Sequence, residues 1–183
     1  MTWMSMSWRD GRLSWDRKSY GDIHKLNIPP FQIWVPDVVL MSRVDSFAPQ
    51  FPDRLVATIK HTGDVFLVTP SEFKTRCTPT DDPSVVTCPF KFQSWTYDGN
   101  EIGLTARQEG LDMNDYVESP GLKVIKRDTK VNEWFYECCP EEPYPDVMFT
   151  IDVKVDASSA SGKLLISISS LSACLFLFSN LSF

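Results

Sequence analysis

The sequence predicts an all-β protein with the architecture of an antiparallel β-sandwich, and three observations support this prediction. Short segments that alternate apolar and polar residues are separated by clusters of Gly, Pro and Asp. Thirteen prolines in 183 residues interrupt the chain too often for long helices. No window before residue 157 has the periodicity of an amphipathic helix. A single sandwich over residues 1–156 is therefore expected.

The first predicted strands lie near the beginning of the chain and around residue 60. Successive side chains of a strand point to opposite faces. In "MTWMSMSW" (1–8) we therefore expect Trp3, Ser5 and Ser7 on one face and Met4, Met6 and Trp8 on the other. Further on, "RLVATIK" (54–60) and "DVFLV" (64–68) flank "HTGD". This arrangement predicts a hairpin with Gly63 in its turn.

The later strands are predicted from the same kind of pattern. "VVTCPFKFQSW" (85–95) and "EIGLTAR" (101–107) flank "DGN", which predicts a second hairpin. "GLKVIKRD" (121–128) then leads towards "NEWFYE" (132–137). "DVMFTIDVKVD" (146–156) alternates cleanly, which places Phe149, Ile151, Val153 and Val155 on the inward face.

The two ends of the chain differ from the rest. The opening residues lack a charged region followed by an apolar run, so no secretory signal is expected and the N-terminus is predicted to be truncated. "ASSASGK" (157–163) has the composition of a linker. The 20 uncharged residues 164–183 form an apolar tail with the length of one membrane span. A cleavable lipid-anchor signal is the second interpretation of this tail.

The charge and the cysteine pattern exclude several classes of function. A formal net charge of -6 argues against a nucleic-acid partner and is compatible with a cationic one. No CxxC pair or Cys/His pair at zinc spacing occurs, and the two histidines stand alone. A zinc site or a Ser/His catalytic site therefore has little to build from, and we expect no metal and no cofactor.

Two pairs of cysteines suggest disulfides. The spacing of Cys77 and Cys88 suits a disulfide-closed loop and hence an oxidising compartment, either as a plain staple or as part of a functional loop. A bond between the adjacent Cys138 and Cys139 would close a small strained ring, and such strain is found mostly at functional sites. Two free thiols, or a bond from one of them to another cysteine, are the alternatives.

The residues around Cys138 and Cys139 indicate a lid over a ligand. Tyr136 and Tyr144 flank the pair, and three prolines stiffen the connection. Tyrosine faces attract cations. Together with Trp3 and Trp95, the two tyrosines could form an aromatic cage for a quaternary ammonium group.

Four stretches in order resemble one known family. They are "WMSMSWRDGRLSWD" (3–16), "IWVPDVVL" (33–40), "FKFQSWTYDG" (90–99) and "YECCPEEPYPDV" (136–147). Residues 1–156 resemble the ligand-binding domain of the Cys-loop receptors, most closely nicotinic acetylcholine receptor alpha subunits and the acetylcholine-binding proteins. The resemblance implies a β-sandwich preceded by a helix and a first strand that this sequence lacks.

The resemblance also implies a site for an acetylcholine-like cation between neighbours in a homo- or heteropentamer. Its principal face would carry Trp95, Tyr136, Cys138, Cys139 and Tyr144, with Met41 where the family has a tyrosine. Its complementary face would carry Trp3, Phe66 and Val68, with "QEGLDMNDY" (108–116) as an acidic loop. Lys91, Tyr136 and Asp146 match positions of a polar switch that couples lid closure to gating. No step of this function is catalysis, so the resemblance also implies that the protein is not an enzyme.

Three functions follow as hypotheses. The first is a ligand-binding receptor subunit at the extracellular face of the plasma membrane, truncated before the full channel domain. Its apolar tail would be the contact with the membrane. The second is a secreted or tethered acetylcholine-binding protein, which the short polar loop between Cys77 and Cys88 favours. The third is an adhesive β-sandwich in which the cysteines act only as staples.

Overall fold

The structure is a computed structural model that describes residues 2–44, 55–107 and 110–156, and the backbone of 174–176 and 180–182. Its strands are β1 (Thr2–Arg9), β2 (Lys25–Ile28), β3 (Val38–Leu40), β4 (Ala57–Lys60), β5 (Asp64–Ser71), β6 (Lys74–Arg76), β7 (Thr78–Pro79), β8 (Val85–Ser94), β9 (Leu111–Asp112), β10 (Leu122–Tyr136), β11 (Cys139–Val155), β12 (Cys174–Phe176) and β13 (Asn180–Ser182). Short 3-10 helices cover Gly11–Leu13, Arg17–Tyr20 and Pro30–Gln32.

The strands form two main sheets, which confirms the all-β prediction. The first has the order β2-β4-β5-β1-β13-β9, and the second has the order β10-β11-β8-β3 with β7 also paired to β8. Neighbours are antiparallel except β1 and β13, which run parallel. A small third sheet pairs β12 with β6. The predicted linker and most of the predicted apolar tail lie outside the described residues, and in the part described no helix has the length and apolarity to cross a membrane.

The first sheet buries one set of alternating residues on each of two strands. Met4 and Met6 of β1 are buried, as are Val65 and Leu67 of β5. The predicted hairpin of β4 and β5 is present, and Gly63 lies in its turn with φ +83°. A Cβ there would lie 2.5 Å from the carbonyl oxygen of Asp10, so this turn accepts only glycine.

The second sheet supplies the other half of the core. Phe149, Ile151 and Val153 are buried as predicted, because they alternate with polar residues along β11. The rings of Phe73 and Phe92 are 5.0 Å apart, and those of Phe92 and Phe149 are 5.9 Å apart, both edge to face. This chain of rings fills the space between the sheets.

The predicted hairpin of 85–95 with 101–107 is wrong. Residues 102–107 form no strand, and β8 pairs instead with β11 on one side and β3 on the other. Asp98 turns the chain sharply, since its carbonyl oxygen accepts from the amides of Glu101 and Ile102 at 3.2 and 2.9 Å. The alternation in "EIGLTAR" reflects partial packing of Leu104 and Ala106 against the core and not a ladder.

The hairpin of β10 and β11 is longer than the sequence indicated. The two predicted segments 121–128 and 132–137 belong to one strand, Leu122–Tyr136. The predicted strand at 146–156 begins at Cys139 instead. The residues expected in a separate lid are therefore continuous with the second sheet.

We predict that Phe149→Ala lowers the free energy of unfolding by about 3–5 kcal/mol, because it leaves a cavity in the chain of rings. Urea denaturation followed by circular dichroism measures the change. Phe31→Ala is the matched control: its ring is 81% exposed, and we expect a change below about 0.5 kcal/mol. Equal losses for the two variants would contradict this description of the core.

Candidate functional site

The turn between β10 and β11 forms a tip that contains the predicted lid residues. Tyr136 pairs with Cys139 across the turn, and the rings of Tyr136 and Tyr144 are 5.3 Å apart with an angle of 65° between their planes. The register passes from the pair Trp134–Tyr144 directly to Tyr136–Cys139. Residues 140–143 therefore stand opposite a single residue and form an arch in β11.

The predicted bond between Cys138 and Cys139 is absent, because both side chains are free thiols. A bond between neighbours demands unusual backbone geometry, whereas Cys139 here pairs with Tyr136 as an ordinary strand residue. The thiols remain in contact, and hydrogen bonding to Cys138 is the main reason that the pKa of Cys139 is raised. Cys77 and Cys88, in contrast, are joined by a disulfide as predicted.

Glu142 orients the second tyrosine of the tip. The Tyr144 hydroxyl donates to Oε2 of Glu142 at 3.0 Å. This hydrogen bond, followed by burial and the charge of Glu142, raises the pKa of Tyr144 above its ordinary value. The phenol therefore stays protonated at physiological pH. Sequence reasoning gave Glu142 no role, although its place two residues before Tyr144 was the available signal.

Trp95 lies at the end of β8 in a loop that Asp37 holds. Oδ1 of Asp37 accepts from the Ser94 hydroxyl at 2.6 Å, and Oδ2 accepts from the Thr96 amide at 2.8 Å. The Trp95 amide donates to the Asp37 carbonyl oxygen at 3.2 Å. With its backbone fixed in this way, the Trp95 side chain is 71% exposed.

The same loop is attached to the arch. The Gly99 amide donates to the carbonyl oxygen of Pro143 at 2.6 Å, and Nδ2 of Asn100 donates to that of Glu141 at 3.4 Å. A Cβ on Gly99 would lie 3.0 Å from the same Pro143 oxygen, so the close approach favours glycine. The Trp95 loop and the tip are therefore connected through backbone contacts.

Met41 lies four residues after Asp37, on the segment that runs beside β8. It follows β3, which pairs with the end of β8, and its amide donates to the Lys91 carbonyl oxygen at 2.7 Å. Its side chain is 44% exposed and that of Tyr136 is 47% exposed. The fold thus carries the predicted principal-face residues on three connected segments, β3, the Trp95 loop and the tip.

Asp146 is fully buried and has three donors. Nζ of Lys91 lies 3.1 Å from its Oδ2, and Nδ2 of Asn132 donates to its Oδ1 at 2.8 Å. The indole N–H of Trp134 also donates to Oδ2. Of the three residues in the predicted switch, Lys91 and Asp146 are paired, whereas Tyr136 contacts Tyr144 instead. The sequence analysis missed Asn132 and Trp134.

The predicted complementary-face residues lie on the first sheet. Trp3 is 54% and Phe66 39% exposed, and Val68 is half-buried. The pairs Trp3–Pro70, Ser5–Val68 and Ser7–Phe66 place all three on the outer face of β1 and β5, opposite the core. Arg107 covers the Phe66 ring, with its guanidinium carbon 5.5 Å from the ring centroid, a contact that the sequence did not indicate.

Other predicted features of the site are only partly described. Residues 108–109 of the acidic loop 108–116 fall outside the described part, and Leu111–Asp112 forms strand β9. A search of the described residues gives no group of three His, Cys, Asp or Glu side chains that could hold a metal ion.

Comparisons with known proteins agree on one family. The family profile "Neurotransmitter-gated ion-channel ligand binding domain" matches residues 1–154. The chain is 36% identical over 159 residues to acetylcholine receptor subunit alpha-type acr-16 of Caenorhabditis elegans, covering 83% of this chain and 31% of that protein. It is 33% identical over 159 residues to neuronal acetylcholine receptor subunit alpha-3 of Homo sapiens, covering 83% and 30%. This chain therefore spans less than a third of the length of these relatives.

A solved structure is similar as well. Capitella teleta AChBP in complex with lobeline has a TM-score of 0.69 and 26% identity to this chain, and the match covers 81% of this chain and 68% of that one.

We predict that Asp37→Ala makes the amide of Thr96 exchange with solvent about tenfold faster, since it removes the carboxylate that accepts from it. Hydrogen exchange followed by NMR measures this. Asp82→Ala is the matched control, because Asp82 accepts from the amide and hydroxyl of Ser84 in the same manner, away from the site. Unchanged exchange at Thr96 in Asp37→Ala would show that the loop does not depend on this carboxylate.

Proposed function

Because the chain belongs to the family of neurotransmitter-gated ion-channel ligand-binding domains, we propose that it binds acetylcholine or a related organic cation as part of a nicotinic-type receptor subunit. This family comprises receptors and binding proteins and not enzymes. One observation carries the proposal. The exposed Trp95 lies on a loop that is tied to the Met41 strand through Asp37 and to the two tyrosines of the tip through Gly99.

The aromatic faces and the local charge both favour a cation. Trp95 and Tyr136 expose large parts of their rings, and a cation over such a ring gains about 0.5–2 kcal/mol. Carboxylates surround these rings in the sequence: Asp98, Glu137, Glu141 and Glu142. Their negative potential would attract a cationic ligand and raise its rate of association.

The arrangement of the two faces supports a site between neighbouring subunits. Trp3, Phe66 and Val68 lie on the first sheet, whereas Trp95 and the tip belong to the second. Each chain would therefore offer one half of a site to each of two neighbours. This suits the homo- or heteropentamer that the resemblance implies. As a receptor subunit, the chain would lie on the extracellular face of the plasma membrane.

Ligand binding would act by shifting a population of conformations and not by chemistry. Tip residues on the principal face would close over the cation. The buried pair of Lys91 and Asp146 lies at the base of the tip. Closure of the tip would displace this pair and so change the contacts between β8 and β11 in the second sheet.

A secreted acetylcholine-binding protein is the second candidate. Residues 78–83 of the disulfide loop are exposed and largely polar, which suits a surface without a channel partner. Recovery of the full chain from culture medium without detergent favours this candidate, whereas recovery only from the membrane fraction favours the receptor subunit.

We predict that the full chain binds carbamoylcholine and that Trp95→Ala weakens binding about tenfold or more, because the cation loses its most exposed aromatic face. Isothermal titration calorimetry gives the Kd without relying on tryptophan emission. Phe31→Ala, which removes another exposed ring, in a 3-10 helix, serves as the control and leaves the Kd unchanged. Failure of a folded wild-type assembly to bind at millimolar carbamoylcholine would favour the adhesive alternative.

Met41 offers a second test of the same site. We predict that Met41→Tyr strengthens carbamoylcholine binding about three- to tenfold, because an aromatic face replaces a thioether at a position next to the Lys91 backbone. Met41→Leu keeps the volume without an aromatic ring, and its Kd should stay within about twofold of the wild type. Tighter binding by both variants would point to packing and not to a cation–π contact.

A further inference from the structure

Asp146 is a charge that the fold can keep buried only by supplying donors from both neighbouring strands. It pairs directly with Asn132 on β10 and with Gln93 on β8. Lys91 and Trp134 lie diagonally across the same two strand pairs, within reach of long side chains. Three donors converge on a carboxylate that is 0% exposed. Removal of one donor from a buried carboxylate is costly unless another group replaces it.

Trp134 makes two different contacts in this cluster. Its indole N–H donates to Oδ2 of Asp146, the oxygen that also faces Lys91. Its ring lies over the Lys91 ammonium group, with Nζ 5.3 Å from the ring centroid. The indole is 49% exposed, so it lies between the ion pair and the solvent. Both partners of the buried pair are therefore held by one side chain.

Trp134 also lies where the regular pairing of β10 with β11 ends. Trp134–Tyr144 is the last regular pair before the arch at 140–143, and Tyr136 belongs to the tip beyond it. The tip itself is attached to the Trp95 loop through Gly99 and Pro143. The irregular register next to Trp134 is the place where a bend of the tip relative to the sheet would disturb the fewest strand pairs.

We propose that Trp134 is a positioning residue that restrains the tip in the ligand-free protein by occupying the donor position on Asp146 that the Tyr136 hydroxyl takes when the tip closes. The inference rests on the proposed function. In the structure, Tyr136 packs on Tyr144 while the indole holds Asp146 and covers Lys91. Closure of the tip then requires that the indole contacts with Asp146 and Lys91 break. The free energy that this costs weakens the apparent affinity for the ligand.

The variant Trp134→Phe tests this proposal, because phenylalanine keeps an aromatic ring over Lys91 and removes only the N–H donor. Asp146 then lacks one donor, which favours approach of the Tyr136 hydroxyl. We expect the Kd for carbamoylcholine, measured by calorimetry on the full chain, to fall about three- to tenfold. Trp15→Phe is the matched control: it also removes an indole N–H that donates, in its case to the Ile23 carbonyl oxygen, and Trp15 lies outside the three strands that surround Asp146. Its Kd should equal that of the wild type.

A second arm separates restraint from a general structural effect. In a Tyr136→Phe background the hydroxyl that replaces the indole is gone, so Trp134→Phe should change the Kd by less than about twofold. An unchanged or larger Kd for Trp134→Phe in the wild-type background would overturn the proposal. An equal gain of affinity in both backgrounds would overturn it too.

A third measurement needs no ligand. The amides of residues 136–139, 141 and 142 should exchange with solvent at least about threefold faster in Trp134→Phe than in Trp15→Phe, because the base of the tip is no longer tied to Asp146. Equal exchange in the two variants would overturn the restraint. Should the wild type not bind carbamoylcholine, the proposed function fails, and this exchange measurement alone decides whether Trp134 restrains the tip.

Discussion

The antiparallel ladder between β8 and β11 is the interaction on which the rest of the structure depends. Nine residue pairs join the two strands, from Lys154–Val85 at one end to Asp146–Gln93 at the other. Its inner face carries Phe92, Phe149 and other buried residues that fill the space between the sheets. Cys88, which the disulfide joins to Cys77, pairs with Ile151 within the ladder, and the Asp146–Gln93 end leads directly into Trp95 and the tip. The core, the disulfide and the candidate site therefore all depend on the register of this one strand pair. A shift of one residue would turn every side chain of the shifted strand to the opposite face of the sheet.

This ladder explains why a buried charge lies beside a solvent-exposed aromatic site. Inward-facing positions of β11 are apolar, and Asp146 belongs to the opposite set of positions on the same strand. There it is covered by β10 on one side and by Lys91 of β8 on the other, so it is buried without entering the apolar core. A charge in this place is stabilised only while Lys91, Asn132 and Trp134 keep their positions.

Where alternation and local turns dominate, sequence reasoning succeeded. Phe149 and Ile151 were correctly placed on the inward face, and Met4 and Met6 were placed together on the face opposite Trp3, because the period of two in a half-buried strand is a local property. The hairpin around Gly63 followed from turn chemistry for the same reason. The segment 101–107 misled this reasoning, since it alternates without any strand partner: Asp98 turns the chain, and the edge of β8 is already taken by β11. Pairing between distant strands leaves no local signal.

By itself, the sequence determined the all-β class, the faces of most long strands, the disulfide of Cys77 and Cys88 and the family to which the candidate site belongs. These depend on periodicity, cysteine spacing and short motifs, which are all readable along the chain. Tertiary structure decided that Asp37 fixes the Trp95 loop, that Glu142 holds Tyr144, that Cys138 and Cys139 stay separate thiols and that Trp134 shares Asp146 with Lys91. One physical reason explains why the long-range contacts in this group could not be predicted from the sequence. A hydrogen bond between residues that are far apart in sequence, such as Asp37 and Thr96, exists only once the register of the strands has brought donor and acceptor within about 3 Å.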